Sequence, residues 1–205
     1  MALEETDVAS GKKEKSRRAA RPAAAAGPLA RLMRAPWLAP RVVLLLGIFA
    51  LQAITSMAQK SSTSDESAHL PAGWTCLATG DYRMNPEHPP LAKMIAALPL
   101  MFMKINGALD TDEWRDGKEW GYGWDFPYTG RNDDATLLFW GRFSMVILSL
   151  CLGLLMFFWA RKLYGNAAGL FALFLFAFSP NLIAHGSLAN TDLPIAFFMA
   201  LSLRR

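Results

Sequence analysis

The sequence has little cysteine and little charge. Only 2 of its 205 residues are cysteine and 19% are charged, while 53% are hydrophobic. Two cysteines are too few to staple a small secreted domain, so a disulfide-rich scaffold is excluded. A disordered chain is also excluded, because disorder requires a composition that is poor in apolar residues and rich in charge. Cys76 lies in a polar segment and Cys151 in a long apolar one, so we expect neither to be paired.

The apolar residues occur in long blocks. Residues 42–58 and 166–184 contain no charged residue, and residues 137–160 contain only Arg142. As helices these blocks are about 25–36 Å long, which matches the hydrocarbon thickness of a bilayer. We therefore predict an all-α integral membrane protein, built as a multi-span helical bundle. The polar segment 59–136 is predicted to be a large outer loop.

A fourth apolar stretch, residues 193–203, is shorter than the others. It covers about 16 Å as a helix, roughly half a bilayer, and Arg204 and Arg205 follow it. Two arginines at mid-membrane would cost several kcal/mol. We therefore expect residues 192–205 to be a partial span and the chain to be the N-terminal part of a longer protein. The alternative is a short interfacial helix that ends in a basic anchor.

The sign of the charge differs between segments. Residues 1–41 contain nine Lys/Arg and four Asp/Glu, whereas residues 59–136 contain seven and twelve. The positive-inside rule predicts that the N-terminus and the Arg161-Lys162 turn are cytoplasmic and that the acidic loop faces outward, in a multi-pass protein of the plasma (inner) membrane. The basic tail, residues 1–41, is predicted to be disordered and to set orientation beside anionic lipids. It has no aromatic residue before Trp37 to stack a base, so no nucleic-acid partner is expected.

The outer loop begins with two adjacent carboxylates, Asp65 and Glu66. One could act as a general base and the other as an orienting group, because partial desolvation raises the proton affinity of a carboxylate. Local sequence favours a simpler interpretation, in which Ser, Thr or Asp caps a helix that runs toward Trp74 and Leu77. The two interpretations are compatible.

A second polar motif is NPEHPPLAK at residues 85–93. Its two prolines force Glu87 and His88 into an extended conformation and then suit the first turn of a helix. Residues 91–105 are predicted to be an interfacial helix that lies along the membrane. His88 and Lys93 would then lie at headgroup depth, where a lipid phosphate lies. The alternative is that both are solvated or snorkelling side chains.

Ionisable residues near the outer ends of the spans add to this set. Arg142 could snorkel, or it could pair with a carboxylate or a phosphate at the surface. His185 and Asp192 flank the segment between the third and fourth apolar stretches, although Asp192 could simply cap the fourth helix. Polar groups from three segments therefore converge at one leaflet, which predicts a binding surface for an anionic, lipid-linked molecule.

The outer loop also contains a run of aromatic residues interleaved with glycine and acids. Such rings stack on sugar faces, but they also populate membrane interfaces. An interfacial belt is the favoured interpretation for these six residues: Trp114, Trp120, Tyr122, Trp124, Phe126 and Tyr128.

At these positions the sequence resembles the GT-C class of membrane glycosyltransferases, closest to the protein O-mannosyltransferase-like (family 39) branch and its bacterial relatives. The resemblance rests on the acidic pair, on HPPLAK at residues 88–93, and on SPNLIAHG at 179–186 followed by TDLP at 191–194. It covers about residues 42–203. It implies a GT-C-like bundle, truncated here, whose first outer loop contains two interfacial helices.

The resemblance also implies a reaction. The donor is a polyprenyl-phosphate-linked sugar, and the acceptor is a hydroxyl of a protein, a lipid or a glycan. Asp65 is implied as the general base of an inverting transfer, and Glu66 would help to hold the acceptor. No metal site is predicted; a divalent cation bound by Asp65 and Glu66 is left open.

By the same resemblance, His88 occupies a phosphate-contacting position, with Lys93 or Arg142 as assistants. Such cations would stabilise the charge that develops on the departing phosphate. Glu87 and His185 are expected among the substrate-binding residues. Asp192 matches the second acidic position of the family.

Two other functions compete with glycosyl transfer. Family members have several hundred residues and many more spans, so a chain of this length alone is expected to be inactive; a truncated, non-catalytic membrane protein or assembly partner is the main alternative. Transport is disfavoured, because the polar residues gather at one membrane face and no broken midplane helix is evident.

Overall fold

A computed structural model describes residues 35–203, and within that range the chain is helical and contains no strand. By its contacts the chain divides into two units, Met1–Leu38 and Ala39–Arg205. The described part of the first unit is a 3₁₀ turn at Ala35–Trp37 and the residue that follows it. Most of the predicted tail, residues 1–41, lies outside the described residues, as do the last two arginines. All that follows concerns the second unit.

The described residues form nine α-helices, and a 3₁₀ turn at Leu98–Phe102 extends the third. In chain order they are α1 (Leu38–Met57), α2 (Ser64–Thr79), α3 (Pro90–Ala97), α4 (Asp112–Arg115), α5 (Glu119–Asp125), α6 (Asp134–Tyr164), α7 (Asn166–Ala177), α8 (Pro180–Gly186) and α9 (Asp192–Leu203).

Two helices, α1 with 20 residues and α6 with 31, are long and apolar enough to cross a membrane. They contain or overlap the predicted spans 42–58 and 137–160. The bent pair α7 and α8 raises the number of candidate spans to three when it is counted as one crossing. Helix α9, with 12 described residues, is a shorter apolar helix. The described chain is therefore an all-α protein with two or three candidate spans.

The predicted third span, residues 166–184, is not one continuous helix. Helix α7 ends at Ala177, α8 begins at Pro180, and the two are bent by 65°. Pro180 has no N–H to continue the helix, and its ring keeps Ser179 extended at φ −75° and ψ 116°. The prediction of one continuous third span is therefore wrong, and the break weakens the argument against transport.

Buried apolar side chains form two clusters. One lies between the outer-loop helices and the first half of α6, and the other joins α1, α6, α7 and α9. Across the second cluster, Gln52 Nε2 donates a hydrogen bond of 3.1 Å to the carbonyl of Ala177. The first cluster includes Leu70, Trp74, Leu100, Tyr122, Phe126 and Met145, and the second includes Phe49, Ala53, Val146, Phe176 and Leu193. The outer loop is therefore a folded layer packed onto α6.

The contact between α2 and α3 depends on Gly73. A Cβ atom at this position would lie 2.1 Å from the backbone oxygen of Lys93, so only glycine lets the two helices approach this closely. On its other side, α3 and the 3₁₀ turn leave an apolar edge exposed at Leu91, Leu98 and Phe102. The chain predicted to form one interfacial helix over residues 91–105 is thus an α-helix that tightens into a 3₁₀ turn.

Candidate functional site

The two adjacent carboxylates have opposite environments. Asp65 is exposed, and within residues 35–203 its side chain makes no hydrogen bond or ion pair, whereas Glu66 is 1% exposed. Helix α2 starts at Ser64 behind the capping residue Thr63, as the capping interpretation predicted. Successive residues of a helix point about 100° apart, so one carboxylate can face solvent while its neighbour faces the interior.

Glu66 and Arg142 form a buried bidentate ion pair. Arg142 Nε donates to Glu66 Oε1 at 2.7 Å and Nη2 donates to Oε2 at 2.7 Å. The remaining N–H groups of the guanidinium donate to the backbone carbonyls of Met57, Lys60 and Ser61 at 2.7–2.8 Å. All five N–H donors of an arginine are therefore used. Arg142 pairs with a carboxylate rather than snorkelling, and it has no donor left for a phosphate.

The carboxylate of Glu66 is held from two further directions. Its Oε1 accepts the backbone N–H of Ala189 at 3.0 Å, and its Oε2 accepts the backbone N–H of Thr63 at 3.0 Å. Burial by itself would raise the pKa of Glu66, but the hydrogen bonds from Arg142, Ala189 and Thr63 outweigh it and keep the pKa below its usual range. This ionised group ties the start of α2 to α6 and to the loop before α9.

Lys93 is buried rather than snorkelling. Its side chain points to Asn85, with Nζ donating to the backbone oxygen at 2.5 Å and to Oδ1 at 3.2 Å. Burial lowers the pKa of Lys93. Asn85 is itself buried at φ 53°, a left-handed conformation that asparagine adopts more readily than most residues. Its Nδ2 donates to carboxylates of Glu87 at 2.5 Å and Glu119 at 3.1 Å. The expectation that Lys93 reaches the headgroups is therefore corrected.

His69 was missed by the sequence analysis. It is 4% exposed, its ring packs edge-on against that of His88 with centroids 4.9 Å apart, and its Nδ1 has no hydrogen-bond partner in the described part of the chain. Burial lowers its pKa, and the nearby charge of His88 acts in the same direction. The sequence did indicate this residue, because a spacing of four residues places His69 on the same helix face as Asp65.

His88 is the more accessible of these two imidazoles, with 42% of its side chain exposed. Its Nδ1 lies 3.3 Å from Asn85 Nδ2 and 3.7 Å from Glu87 Oε1. The structure thus brings His88, Glu87 and Lys93 together around Asn85, as their proximity in the sequence suggested. His69 connects this group to the helix that carries Asp65.

His185 and Asp192 form a pair of their own. His185 Nδ1 lies 3.0 Å from Asp192 Oδ2, and both side chains are at least half exposed. Asn190 Nδ2 approaches the same ring nitrogen at 3.2 Å. Helix α9 begins at Asp192, so the pair bridges the end of α8 and the start of α9. Among the described residues, no hydrogen bond or ion pair links His185 or Asp192 to Asp65 or His88.

A cavity of about 320 Å³ lies between the start of α2, helix α5 and the start of α6. Gly123 of α5 allows this arrangement, because a Cβ atom there would lie 2.4 Å from the backbone oxygen of Ser67. The aromatic run is divided by the fold. Trp114, Tyr122 and Phe126 are buried in the core of this segment, so they are not part of an interfacial belt. Phe126 also lines the cavity, together with three exposed rings: Trp120, Trp124 and Tyr128.

Within residues 35–203, no group of three or more His, Cys, Asp or Glu side chains is placed to hold a metal ion. Both carboxylate oxygens of Glu66 already accept hydrogen bonds, so Asp65 and Glu66 do not form the open pair of ligands considered above. Cys76 and Cys151 are both free, the first buried and the second exposed.

No family model, curated protein or solved structure matches the chain. The GT-C resemblance therefore rests on its motifs alone and is a hypothesis about function. A hypothesis about function has to account for three features of the structure. They are the exposed carboxylate of Asp65, the ring contact between His69 and His88, and the buried cations Lys93 and Arg142.

Proposed function

We propose that the chain belongs to a membrane glycosyltransferase, which moves a sugar from a polyprenyl-phosphate donor to an acceptor hydroxyl at the outer face of the plasma membrane. The observation that carries the proposal is the contrast between the neighbouring carboxylates. Both carboxylate oxygens of Glu66 accept hydrogen bonds, whereas Asp65 is exposed and its side chain makes no hydrogen bond or ion pair within residues 35–203. A free carboxylate on a rigidly anchored helix start is what a positioned general base requires.

In the proposed step, Asp65 accepts the proton of the acceptor hydroxyl while the hydroxyl oxygen attacks the anomeric carbon of the donor. The bond between that carbon and the phosphate oxygen breaks, and its electron pair leaves with the polyprenyl phosphate. The new bond forms on the opposite face of the sugar, so the anomeric centre is inverted. Asp65 then returns its proton to water.

The imidazoles support the proposal from the donor side. His88 is half exposed, and its ring packs against the ring of His69. His69 lies on the same face of α2 as Asp65. The buried ammonium of Lys93 adds positive charge nearby without touching a ligand, and such charge stabilises a departing phosphate. Glu87 and Glu119 contact Asn85, and Glu87 also lies 3.7 Å from His88 Nδ1, so we place the phosphate at the other ring nitrogen of His88, Nε2.

The proposed orientation follows from the charges. The basic tail and the Arg161-Lys162 turn are placed in the cytoplasm, and the acidic segment 59–136 is placed outside. Asp65 and His88 both belong to that outer segment. The chemistry would therefore occur on the outer leaflet, where a flipped lipid-linked sugar is presented.

Transport is the second candidate, and the break between α7 and α8 is the observation that favours it. Broken helices form the substrate sites of many transporters. The two functions differ in their product, because transport moves a lipid-linked or free sugar without breaking the bond to phosphate. A non-catalytic assembly partner would do neither.

The decisive test is Asp65→Asn, assayed in membranes that contain the protein and radiolabelled polyprenyl-phosphate sugars. General-base catalysis contributes about 10²–10⁴-fold, so we expect transfer to fall by at least about 100-fold while the protein stays folded in the membrane. Asp112→Asn is the matched control, because this exposed aspartate at the start of α4 forms a surface ion pair with Arg115.

Near-normal transfer by Asp65→Asn would remove Asp65 as the base. Absence of transfer by the wild type, with the protein verified in the membrane, would favour the non-catalytic alternative. Movement of an intact lipid-linked sugar across the bilayer, without release of the lipid phosphate, would favour transport.

A further inference from the structure

The cavity beside α2 is separate from the proposed catalytic carboxylate. Ser67 and Leu70 line it, whereas Asp65 and His69 do not. At about 100° per residue, Ser67 and Leu70 lie on the opposite side of α2 from Asp65 and His69. The cavity also reaches Ser64 and Glu66, the chain neighbours of Asp65, but the side chain of Asp65 is not part of its lining. The catalytic proposal therefore leaves this space unexplained.

One side of the cavity is aromatic and open. Trp120, Trp124 and Tyr128 line it and are 58%, 66% and 52% exposed. The rings of Trp124 and Tyr128 lie against each other, with centroids 4.3 Å apart and an angle of 38° between their planes. An exposed aromatic wall of this kind offers a flat apolar surface to the C–H face of a ligand ring.

The facing side is polar. The hydroxyl of Ser62 donates to the carbonyl of Thr63 at 3.1 Å, and that of Ser67 donates to the carbonyl of Ser64 at 2.6 Å. With their protons committed, both hydroxyl oxygens keep acceptor lone pairs for a ligand. The side chain of Asp134 is a third acceptor in the lining. The cavity therefore suits a ligand that carries several O–H donors.

The charge of the lining excludes an anionic ligand. Its described residues include the carboxylates Glu66 and Asp134 and no lysine, arginine or histidine. Arg142 neutralises Glu66 from the interior, which leaves the charge of Asp134 unopposed within the lining. A phosphate or a uronate would be repelled, whereas a neutral polyol would not. The cavity volume of about 320 Å³ is at the small end of the range for ligand pockets, which fits a single ring.

We infer that this cavity is a binding subsite for a neutral pyranose ring, distinct from the position where transfer would take place. The ring stacks one face on the exposed face of Trp124, whose other face packs against Tyr128, and donates its hydroxyl protons to the serine hydroxyls and Asp134. The inference goes beyond the proposed function, because it concerns recognition of a sugar and requires no turnover.

The competing explanation for the three exposed rings is an anchor in the membrane interface. Tryptophan and tyrosine are enriched there because their rings are apolar and their edges polar. An anchor would place the rings among lipid headgroups and fill the cavity mouth with lipid. Sugar binding and lipid contact at these rings are therefore alternatives that one experiment can separate.

The test is saturation-transfer NMR on the protein in lipid nanodiscs, with methyl α-mannopyranoside and methyl glucopyranosides as probes and no lipid donor present. We expect transfer of magnetisation to the ring C–H protons of at least one probe. Trp124→Ala should weaken this binding by about tenfold, because it removes the stacking surface. Trp140→Ala is the matched control, since Trp140 is 40% exposed on α6 and does not line the cavity.

Two further variants keep the result interpretable. Trp124→Phe retains a ring and should restore most of the binding, which a general folding defect would not allow. Methyl glucuronide should bind more weakly than methyl glucoside in the wild type, and Asp134→Asn should reduce that difference.

Equal signals from wild type and Trp124→Ala would overturn the inference. Absence of any sugar signal would overturn it as well, and quenching of tryptophan fluorescence by lipids with brominated chains that is weaker in Trp124→Ala than in the wild type would assign the rings to a membrane anchor. Because no donor is present, either result is independent of whether Asp65→Asn abolishes transfer.

Discussion

Glu66 shows how strongly a single buried charge depends on its partners. Breaking a buried ion pair costs several kcal/mol, because the remaining charge is left without compensation in a poorly solvated place. Here the remaining charge would be Arg142, which is 1% exposed. The pair spans 76 positions of sequence, so its loss would release the start of α2 from α6.

We predict that Glu66→Gln lowers the free energy of unfolding at pH 7 by about 3 kcal/mol. The pKa of Glu66 is lowered from 4.5 in the folded chain, so its stabilisation is complete above pH 4.5 and is lost as the pH falls through the lower folded value. Thermal unfolding in nanodiscs at pH 7 and at pH 3–4 should therefore show a smaller difference between wild type and Glu66→Gln at acid pH. A constant difference at all pH values would contradict this assignment.

A substitution of His88 is predicted to change binding of the donor substrate and not the stability of the fold. Its side chain is half exposed and makes no buried ion pair, so His88→Ala should leave the fold intact. We expect KM for the lipid-linked donor to rise, and KM for the acceptor to change little, because the imidazole faces the proposed phosphate position. Lys118→Ala, which removes an exposed cation paired with Asp116, serves as the control. An unchanged donor KM would refute the phosphate contact.

At the scale of elements, the distance between α2 and α3 is the critical dimension, because these helices carry Asp65, His69 and Lys93. Gly73 allows the contact, and a Cβ atom there would overlap the backbone of α3. A backbone atom cannot rotate away as a side chain can, so the helices themselves would have to separate.

We predict that Gly73→Ala destabilises the protein by about 1–3 kcal/mol, the usual cost of overpacking. It should also reduce transfer, since it moves His88, which directly precedes α3, relative to Asp65 and His69 on α2. Gly47→Ala in α1 is the matched control, because a Cβ atom there meets nothing within 4 Å and alanine favours a helix. The measurement is the unfolding temperature of each of the two variants under the same conditions. Equal stability of the two variants would count against tight helix packing at Gly73.

At the scale of the whole molecule, the membrane topology is the property on which the functional proposal depends. The proposed outer position of Asp65 rests on the charge of the segments and on α1 and α6 as candidate spans. Helices α7 and α8 allow two paths of the chain through the membrane, because their 65° bend is compatible with a broken crossing or with a re-entrant loop.

We predict that a cysteine introduced at Lys118 reacts with a membrane-impermeant maleimide in intact cells, and that one at Lys162 reacts only after permeabilisation. Both would be made in a chain whose own Cys76 and Cys151 are replaced, since these are free thiols. The same labelling pattern at both positions, or the reverse pattern, would invalidate the outward placement of Asp65.

Much of the candidate site was predictable because it is local. The start of α2 behind Thr63, the Pro89-Pro90 entry to α3 and the clustering of Glu87 and His88 all depend on neighbours in the chain. The bend at Pro180 was equally local, and the sequence analysis missed it by reading residues 166–184 for apolar content alone. His69 was missed although its spacing from Asp65 marked it.

The sequence by itself determined the helical class and the candidate spans, because the length and apolar content of a segment decide whether it can cross a bilayer. Only the tertiary structure decided which polar groups are buried in hydrogen bonds that hold the fold together and which remain exposed. It paired Glu66 with Arg142, turned Lys93 inward to Asn85 and left Asp65 exposed. The physical reason is that burial and hydrogen bonding depend on partners far away in the chain, and no local pattern specifies them.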